Sequence, residues 1–342
     1  MNDGISSLEQ RGVTIEENEK GFFLHQRTYA DKIHEVRPVD CGRHRPTDTL
    51  RKKDQTTLMA FCGEVYWLGV NTTPFLLAWV AELQSKIPNG TRSLFTAANS
   101  IVKLIKQNQH MGLQIHRHDL IDLAVVTWCD AAWASRPDGN SQGGYLTALA
   151  ATKAMDGEKA QLTALDWGSK KLRRVARSLA AEVQEAGDAE GAQCMVHMVL
   201  SEILFNRSPF RKKMALLHEI PAVLATDCKA FYDGAVRSAL EERKTLAWWV
   251  HSHAQIADGL TKGNWQAFGV LKLFLEKQEW RLIYDEHYMS ARKRAALGMG
   301  FFDTTTPEDA KTAKEVLEQR RLARQQAKIP DQPSSHDAST ME

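Results

Sequence analysis

Two apolar runs in this chain each stop on an aspartate. VVTWCD ends at Asp130, and AVLATD ends at Asp227. Apolar runs of this length, bounded by polar segments, are typical of buried strands. In a mixed or parallel sheet the ligand crevice lies outside the carboxyl ends of the strands. The two runs therefore predict an α/β chain whose sheet brings Asp130 and Asp227 together across one crevice.

The segments around these two runs supply the rest of the predicted sheet. Strand patterns at 123–130, 143–150 and 161–171 have short connections, which predict an antiparallel meander. A long helix is predicted over 179–205. The strand ending at Asp227, a helix through residue 240, a strand over 245–253 and a helix over 265–279 follow it. The predicted architecture is a mixed five-stranded sheet with flanking helices.

The chain before this sheet is predicted to be mainly helical. FFL at 22–24 predicts a short strand, and the polar stretch at 37–57 predicts a loop. Apolar residues recur at helical spacing from Leu58 to Ile87, but Pro74 disfavours helix at the residue before it, so two helices are expected. A further amphipathic helix is predicted over 94–108. Beyond residue 306 the chain is charged and Gln-rich, which predicts a mobile tail with a frayed helix near 308–326.

Composition and charge exclude several classes of protein. The chain has 44 Lys and Arg against 42 Asp and Glu, so it is not a histone-like polycation, although local basic grooves are still allowed. Its five cysteines are scattered and form no CxxC, which argues against a disulfide framework and a Cys-based zinc module. No signal peptide, transmembrane segment or membrane partner is expected. The expected setting is intracellular, in the cytoplasm or nucleus.

The paired aspartates indicate a metal site. Two carboxylates that face each other repel, so the arrangement is costly unless a divalent cation neutralises it. Hard oxygen ligands of this kind suit Mg²⁺ or Mn²⁺. An alternative interpretation is that both aspartates merely begin turns. The pairs His116/His118 and His251/His253 have a spacing that could bind zinc, but no third ligand stands near either pair in the sequence.

Four motifs carry a resemblance to a known family. They are TWCDAAWASRPDGNSQGGYLTAL, DWGSKKLRRVARSLAAEVQEA, ATDCKAFYDGA and WVHSHAQIADGLTKGNW. In this order they resemble the ribonuclease H domain of copia-type retrotransposon Pol polyproteins, and the Ala-Asp-x-Leu-Thr-Lys string is the most specific. Upstream, GFFLHQRTYADKI and the helical segments resemble the end of the reverse transcriptase. The implied domains are a reverse-transcriptase remnant at 1–119, a ribonuclease H-like domain at 120–285 and a mobile tail at 286–342.

The resemblance implies a set of site residues. Asp130 would bridge two Mg²⁺ or Mn²⁺ ions, Glu182 and Asp227 would hold one of them, and Asp258 would hold the other. The glutamate position has an alternative in Glu185, one turn later. Glu182 is favoured because the following residue, Val183, could then face the core. His253 is a candidate for positioning substrate or assisting proton transfer, and a strand-end histidine with no chemical task is the alternative.

The implied activity is cleavage of the RNA strand of RNA–DNA hybrids. No Asp-Asp dipeptide occurs in the chain, so no polymerase site is expected, and the missing catalytic portion of the reverse transcriptase is a further expected partner. One rival is a catalytically silent nucleic-acid-binding or assembly module from the same element. A second rival, a related integrase, should end its acid set in a glutamate, whereas this chain has Asp258.

Basic residues crowd the segment before the long helix. Phosphate contacts from such a cluster give affinity without sequence readout, whereas the alternative is a solvated loop. The cluster predicted to bind nucleic acid consists of Lys170, Lys171, Arg173, Arg174 and Arg177.

Overall fold

The computed structural model describes residues 7–39, 45–206, 220–238, 245–250, 254–282, 289, 291–299 and 306–326. The chain divides into two compact units, residues 1–284 and 285–342. In the second unit, helices α9 (Ala291–Ala296) and α10 (Pro307–Gln326) are described. The boundary predicted between residues 119 and 120 falls inside the first unit and stays a prediction. Within the described part of the chain, no helix has the length and apolarity needed to cross a membrane.

The N-terminal part of the first unit combines a small sheet with four helices. Strands β1 (Ser7–Gln10), β2 (Val13–Asn18), β3 (Gly21–His25) and β4 (Leu113–His116) form an antiparallel sheet in that order. The prediction of a mainly helical segment was therefore incomplete. Strand β4 pairs with β3 across almost ninety residues, and local apolar periodicity carries no information about such a distant partner.

The helices of this part lie between β3 and β4. They are α1 (Arg27–Asp31), α2 (Lys52–Asn71), α3 (Leu76–Lys86), a 3₁₀ turn (Ile87–Asn89) and α4 (Ser93–Asn108). The predicted break before Pro74 is confirmed, since α2 ends at Asn71 and α3 begins at Leu76. The predicted loop over 37–57 is too long, because α2 already begins at Lys52.

A six-stranded mixed sheet forms the centre of the first unit. Its strands are β5 (Ala124–Ala132), β6 (Gln142–Ala150), β7 (Ala160–Lys171), β8 (Ala222–Thr226), β9 (Thr245–Trp249) and β10 (Glu279–Trp280), in the order β10-β7-β6-β5-β8-β9. The meander β5-β6-β7 is antiparallel as predicted, and β8 and β9 extend it in parallel to β5. The prediction of five strands missed β10, whose two residues are too few to show a strand pattern.

Helices flank the central sheet, and a buried polar network fixes the longest one. They are α5 (Ser178–Phe205), α6 (Lys229–Ser238), α7 (Asp258–Thr261) and α8 (Trp265–Lys277). Gln193 of α5 donates through Nε2 to Thr127 Oγ1 at 3.1 Å and to the Val223 carbonyl at 2.9 Å. Thr127 Oγ1 in turn lies 3.0 Å from Thr147 Oγ1. The network ties α5 to β5, β6 and β8, so it fixes which face of the helix meets the sheet.

Candidate metal centre

Three aspartates converge at the carboxyl edge of the central sheet. Asp130 lies near the end of β5, Asp227 directly follows β8, and Asp258 is the first residue of α7. Because β5 and β8 are parallel neighbours, their carboxyl ends meet at the same edge. One carboxylate oxygen from each aspartate lies within 4.8 Å of the others, and this set, called the Asp triad below, could hold a metal ion.

The Asp triad is electrostatically strained. Burial raises the pKa of Asp258 to about 8, the charges of Asp130 and Asp227 add to the rise, and Lys262 opposes it. Asp130 itself is 3% exposed. Three carboxylates in so little space are a set of hard oxygen donors, and a divalent cation would relieve their repulsion. The donor set therefore fits Mg²⁺ or Mn²⁺.

Helix α5 places two glutamates beside the Asp triad. Burial raises the pKa of Glu182 to about 9, with further contributions from Asp130 and Asp227, while Lys262 and the Ala131 amide lower it. Glu182 is thus within electrostatic reach of two triad members. Its position supports Glu182 as a fourth ligand, and that assignment stays a prediction.

Glu185 occupies a different environment from Glu182. It is fully buried, and neither carboxylate oxygen has a hydrogen-bond partner among the described residues. Burial raises its pKa to about 8, Asp188 and Asp130 raise it further, and Lys170 lowers it. Of the Asp triad, Asp130 is the member whose charge contributes to this rise.

The prediction that Val183 faces the core is wrong. Val183 was expected to face the core, but its side chain is 50% exposed. The buried positions of this turn are Ala181 and Glu185 instead. The helix therefore directs a carboxylate, rather than an apolar side chain, into the space between α5 and the sheet.

Two consecutive glycines of β6 make room for the site. Asp130 is paired with Gly144 in the sheet register, and Ala131 with Gly143. A Cβ atom at Gly143 would lie 1.9 Å from Glu185 Oε2, and one at Gly144 would lie 2.7 Å from Leu260 Cβ. Because neighbouring residues of a strand point to opposite faces, the two glycines admit α5 on one face and α7 on the other.

Thr261 and Lys262, which follow Asp258 closely in the chain, also belong to the site. The sequence analysis assigned no role to either residue. The Thr261 hydroxyl donates to Asp130 Oδ2. Lys262 Nζ lies 2.6 Å from Asp258 Oδ1 and 3.5 Å from Asp130 Oδ2. The sequence did contain a signal, since a lysine four residues after an aspartate reaches it on a helix.

The basic cluster before α5 is exposed, which both a phosphate-binding surface and a solvated loop predict, so its role stays a prediction. All five side chains are exposed. Lys170 Nζ lies 2.6 Å from Asp188 Oδ2, and Lys171 Nζ lies 2.6 Å from Asp138 Oδ2. The two lysines are therefore already neutralised, and the three arginines are better candidates for phosphate contacts.

Two of the four histidine candidates, His116 and His118, lie among the described residues and are not members of the Asp triad. His251 and His253 lie outside the described residues. His118 Nε2 lies 2.9 Å from Thr163 Oγ1, and burial lowers the pKa of His116 to about 4. Within the described ranges, neither His116 nor His118 belongs to a set of three candidate metal ligands.

Comparisons with known proteins identify no relative of this chain. No protein-family model, curated protein or solved structure matches it.

Proposed function

We propose that this chain hydrolyses the RNA strand of RNA–DNA hybrids with the help of divalent metal ions, as part of a copia-type retrotransposon Pol polyprotein. The observation that carries the proposal is the Asp triad at the carboxyl edge of β5 and β8. Glu182 and Asp258 reach the same edge from two different helices. The four acids follow the order of the motifs that resemble ribonuclease H.

The topology supports a ribonuclease H-like fold. Strands β7, β6 and β5 form an antiparallel meander, and β8 and β9 extend it in parallel on the other side of β5. The long helix α5 covers this sheet and carries Glu182. Because Asp130 lies on the central strand β5, it is the acid best placed to contact ligands on both sides.

Phosphodiester hydrolysis needs an activated water and a stabilised leaving oxygen. Two bound Mg²⁺ or Mn²⁺ ions would supply both. Asp130, Asp227 and Glu182 are the proposed ligands of one ion, and Asp130 and Asp258 are those of the other. The Thr261 hydroxyl orients the Asp130 carboxylate by donating to Oδ2. His253 is proposed to position substrate or assist proton transfer.

Substrate selection is proposed to depend on backbone contacts. The exposed arginines before α5 would contact phosphates, and recognition of the RNA strand would come from its 2′-OH groups and the shape of the hybrid. These contacts carry no base-sequence information, so cleavage is expected at many positions of a hybrid.

The test is cleavage of an end-labelled RNA–DNA hybrid in Mg²⁺ or Mn²⁺, with a chelator control. Wild type should cut the RNA strand, whereas Asp130→Asn and Asp227→Asn should not. Asp156→Asn is the matched control, because Asp156 is exposed on a 3₁₀ helix outside the Asp triad. An end-labelled DNA duplex of the same sequence should stay uncut.

A silent nucleic-acid-binding module is the second candidate, since the basic cluster is exposed whether or not the acids work. It predicts hybrid binding by wild type without cleavage in either metal. That result would overturn the proposed hydrolase activity.

A further inference from the structure

Lys262 stands at the Asp triad in the place where a cation is expected. Its ammonium lies 2.6 Å from Asp258 Oδ1 and 3.5 Å from Asp130 Oδ2. The residue follows α7 directly, so the backbone of that helix holds it beside Asp258. Helix α7 is itself fixed against the sheet, since Ser169 Oγ donates to the Leu260 carbonyl.

The ammonium performs the electrostatic task that a metal ion would perform. Asp258 and Asp130 are both largely buried, and repulsion between them is costly. The Lys262 ammonium lies within ion-pair distance of a carboxylate oxygen of both aspartates. The side chain is therefore a protonated counter-ion of the Asp triad.

The same side chain also borders an adjacent cavity. This cavity has a volume of about 310 Å³, and its walls include Lys262, Gln142, and Glu82 and Ser85 of α3. Lysine carries its charge on a flexible four-carbon stem, so the ammonium can change direction without a backbone shift. Glu82 offers one carboxylate oxygen on this side: its Oε1 is paired with Lys86 Nζ at 2.5 Å, whereas its Oε2 faces Gly263, the residue after Lys262.

We propose that Lys262 is an exchangeable counter-ion, which holds the carboxylates of Asp130 and Asp258 together without metal and turns into the cavity beside Glu82 when a divalent cation binds. The inference rests on the proposed metal site but not on hydrolysis of any substrate. It predicts that the ammonium and the metal ion compete for the same two carboxylates.

Competition sets the direction of the expected effects. Removing the charge at Lys262 removes the competitor, so Mg²⁺ should bind more tightly, by on the order of tenfold for one partly screened ion pair. Removing the charge at Glu82 deprives the displaced ammonium of its new partner, so Mg²⁺ should bind a few-fold more weakly. Without metal, Lys262→Met should lower the thermal stability because it leaves the carboxylates without a counter-ion.

The experiment is calorimetric titration of the full chain with MgCl₂, without nucleic acid, in weakly alkaline buffer so that protons do not compete. The variants are Lys262→Met, Lys262→Arg and Glu82→Gln. Lys272→Met is the matched control, because Lys272 is a partly exposed lysine that pairs with Glu276 at 3.5 Å on α8, away from the Asp triad. Thermal unfolding of each variant in chelator accompanies the titration.

The proposal expects tighter Mg²⁺ binding in Lys262→Met, near-wild-type binding in Lys262→Arg, weaker binding in Glu82→Gln and no change in the control. Unchanged or weaker binding in Lys262→Met overturns it, as does the absence of Mg²⁺ binding in every variant. If Lys262→Met does not fold, unchanged binding in Glu82→Gln overturns it and weaker binding supports it. Loss of hybrid cleavage with these affinities intact would refute the hydrolase and leave this inference standing.

Discussion

Replacement of Glu185 by glutamine should remove part of the pH dependence of stability. Burial raises the pKa of this carboxyl to about 8 in the folded protein, from its ordinary value of 4.5. Between these two pH values the folded state holds a proton that the unfolded state has lost. Stability therefore falls as the pH rises through this window, and the loss is complete above the folded-state pKa. Glu185→Gln is neutral throughout and escapes this loss.

The size of the effect follows from the pKa difference. One pKa unit corresponds to about 1.4 kcal/mol, so the interval from 4.5 to about 8 sets a ceiling of roughly 5 kcal/mol. The glutamine amide keeps the buried site polar without a partner, which offsets ~1–3 kcal/mol of this gain. We therefore expect Glu185→Gln to be more stable than wild type by about 2–4 kcal/mol at the alkaline end of the window. At the acidic end, where the wild-type carboxyl is protonated and neutral as well, only the cost of the amide remains, so Glu185→Gln should be less stable than wild type by ~1–3 kcal/mol.

The measurement is urea unfolding at several pH values across the window, in chelator to exclude metal binding. Glu202→Gln is the matched control, because Glu202 is exposed on the same helix. The wild-type free energy of unfolding should fall with pH more steeply than that of Glu185→Gln, by up to about 1.4 kcal/mol per pH unit. Parallel curves for Glu185→Gln and wild type would show that Glu185 is not a buried, protonated carboxyl.

The other predictions concern activity, binding and packing. Glu182→Gln should reduce hybrid cleavage far more than Glu185→Gln, since Glu182 responds to both Asp130 and Asp227, and a larger loss at Glu185 would reverse the assignment. Replacing Arg173, Arg174 and Arg177 by glutamine should flatten the slope of log K for hybrid binding against log salt by roughly 0.7–0.9 per lost contact. An unchanged slope would show that this segment is a solvated loop. Gly144→Ala should lower the free energy of unfolding by about 1–3 kcal/mol and weaken Mg²⁺ binding, because its Cβ would lie 2.7 Å from Leu260 Cβ and displace α7. Urea unfolding and Mg²⁺ titration curves that match those of wild type would contradict this role of Gly144.

The sequence predicts the parts of the site that local pattern can encode. An apolar run that ends on Asp130 and another that ends on Asp227 were enough to predict their meeting, because parallel strand ends share an edge. The buried position of Glu185 and the strand β10 were not predicted. Both depend on contacts with residues distant in sequence, such as Gly143 for Glu185, and helical or strand periodicity carries no information about those contacts.

The contact between Lys262 and Asp130 could not be predicted from the sequence either. Its spacing from Asp258 is visible in the sequence, but its 3.5 Å approach to Asp130 requires α7 to pack on β6. That packing depends on Gly144, which in the sequence is simply one of 21 glycines. The apolar runs therefore identified Asp130 and Asp227, whereas the position of the cation beside them depends on the three-dimensional arrangement.

The hydrogen bonds from Gln193 to Thr127 and Val223 fix the rotation of helix α5 about its own axis. Gln193 lies eleven residues after Glu182, which is about three turns of helix, so the two side chains point the same way. The Gln193 side chain, which is hydrogen-bonded to Thr127 of the sheet, therefore also determines which residues of α5 face the aspartates. Loss of one residue between 186 and 192, with Gln193 held in place, would put Ala181 where Glu182 now stands. The length of this helix segment is thus as strictly determined as the identity of its acids.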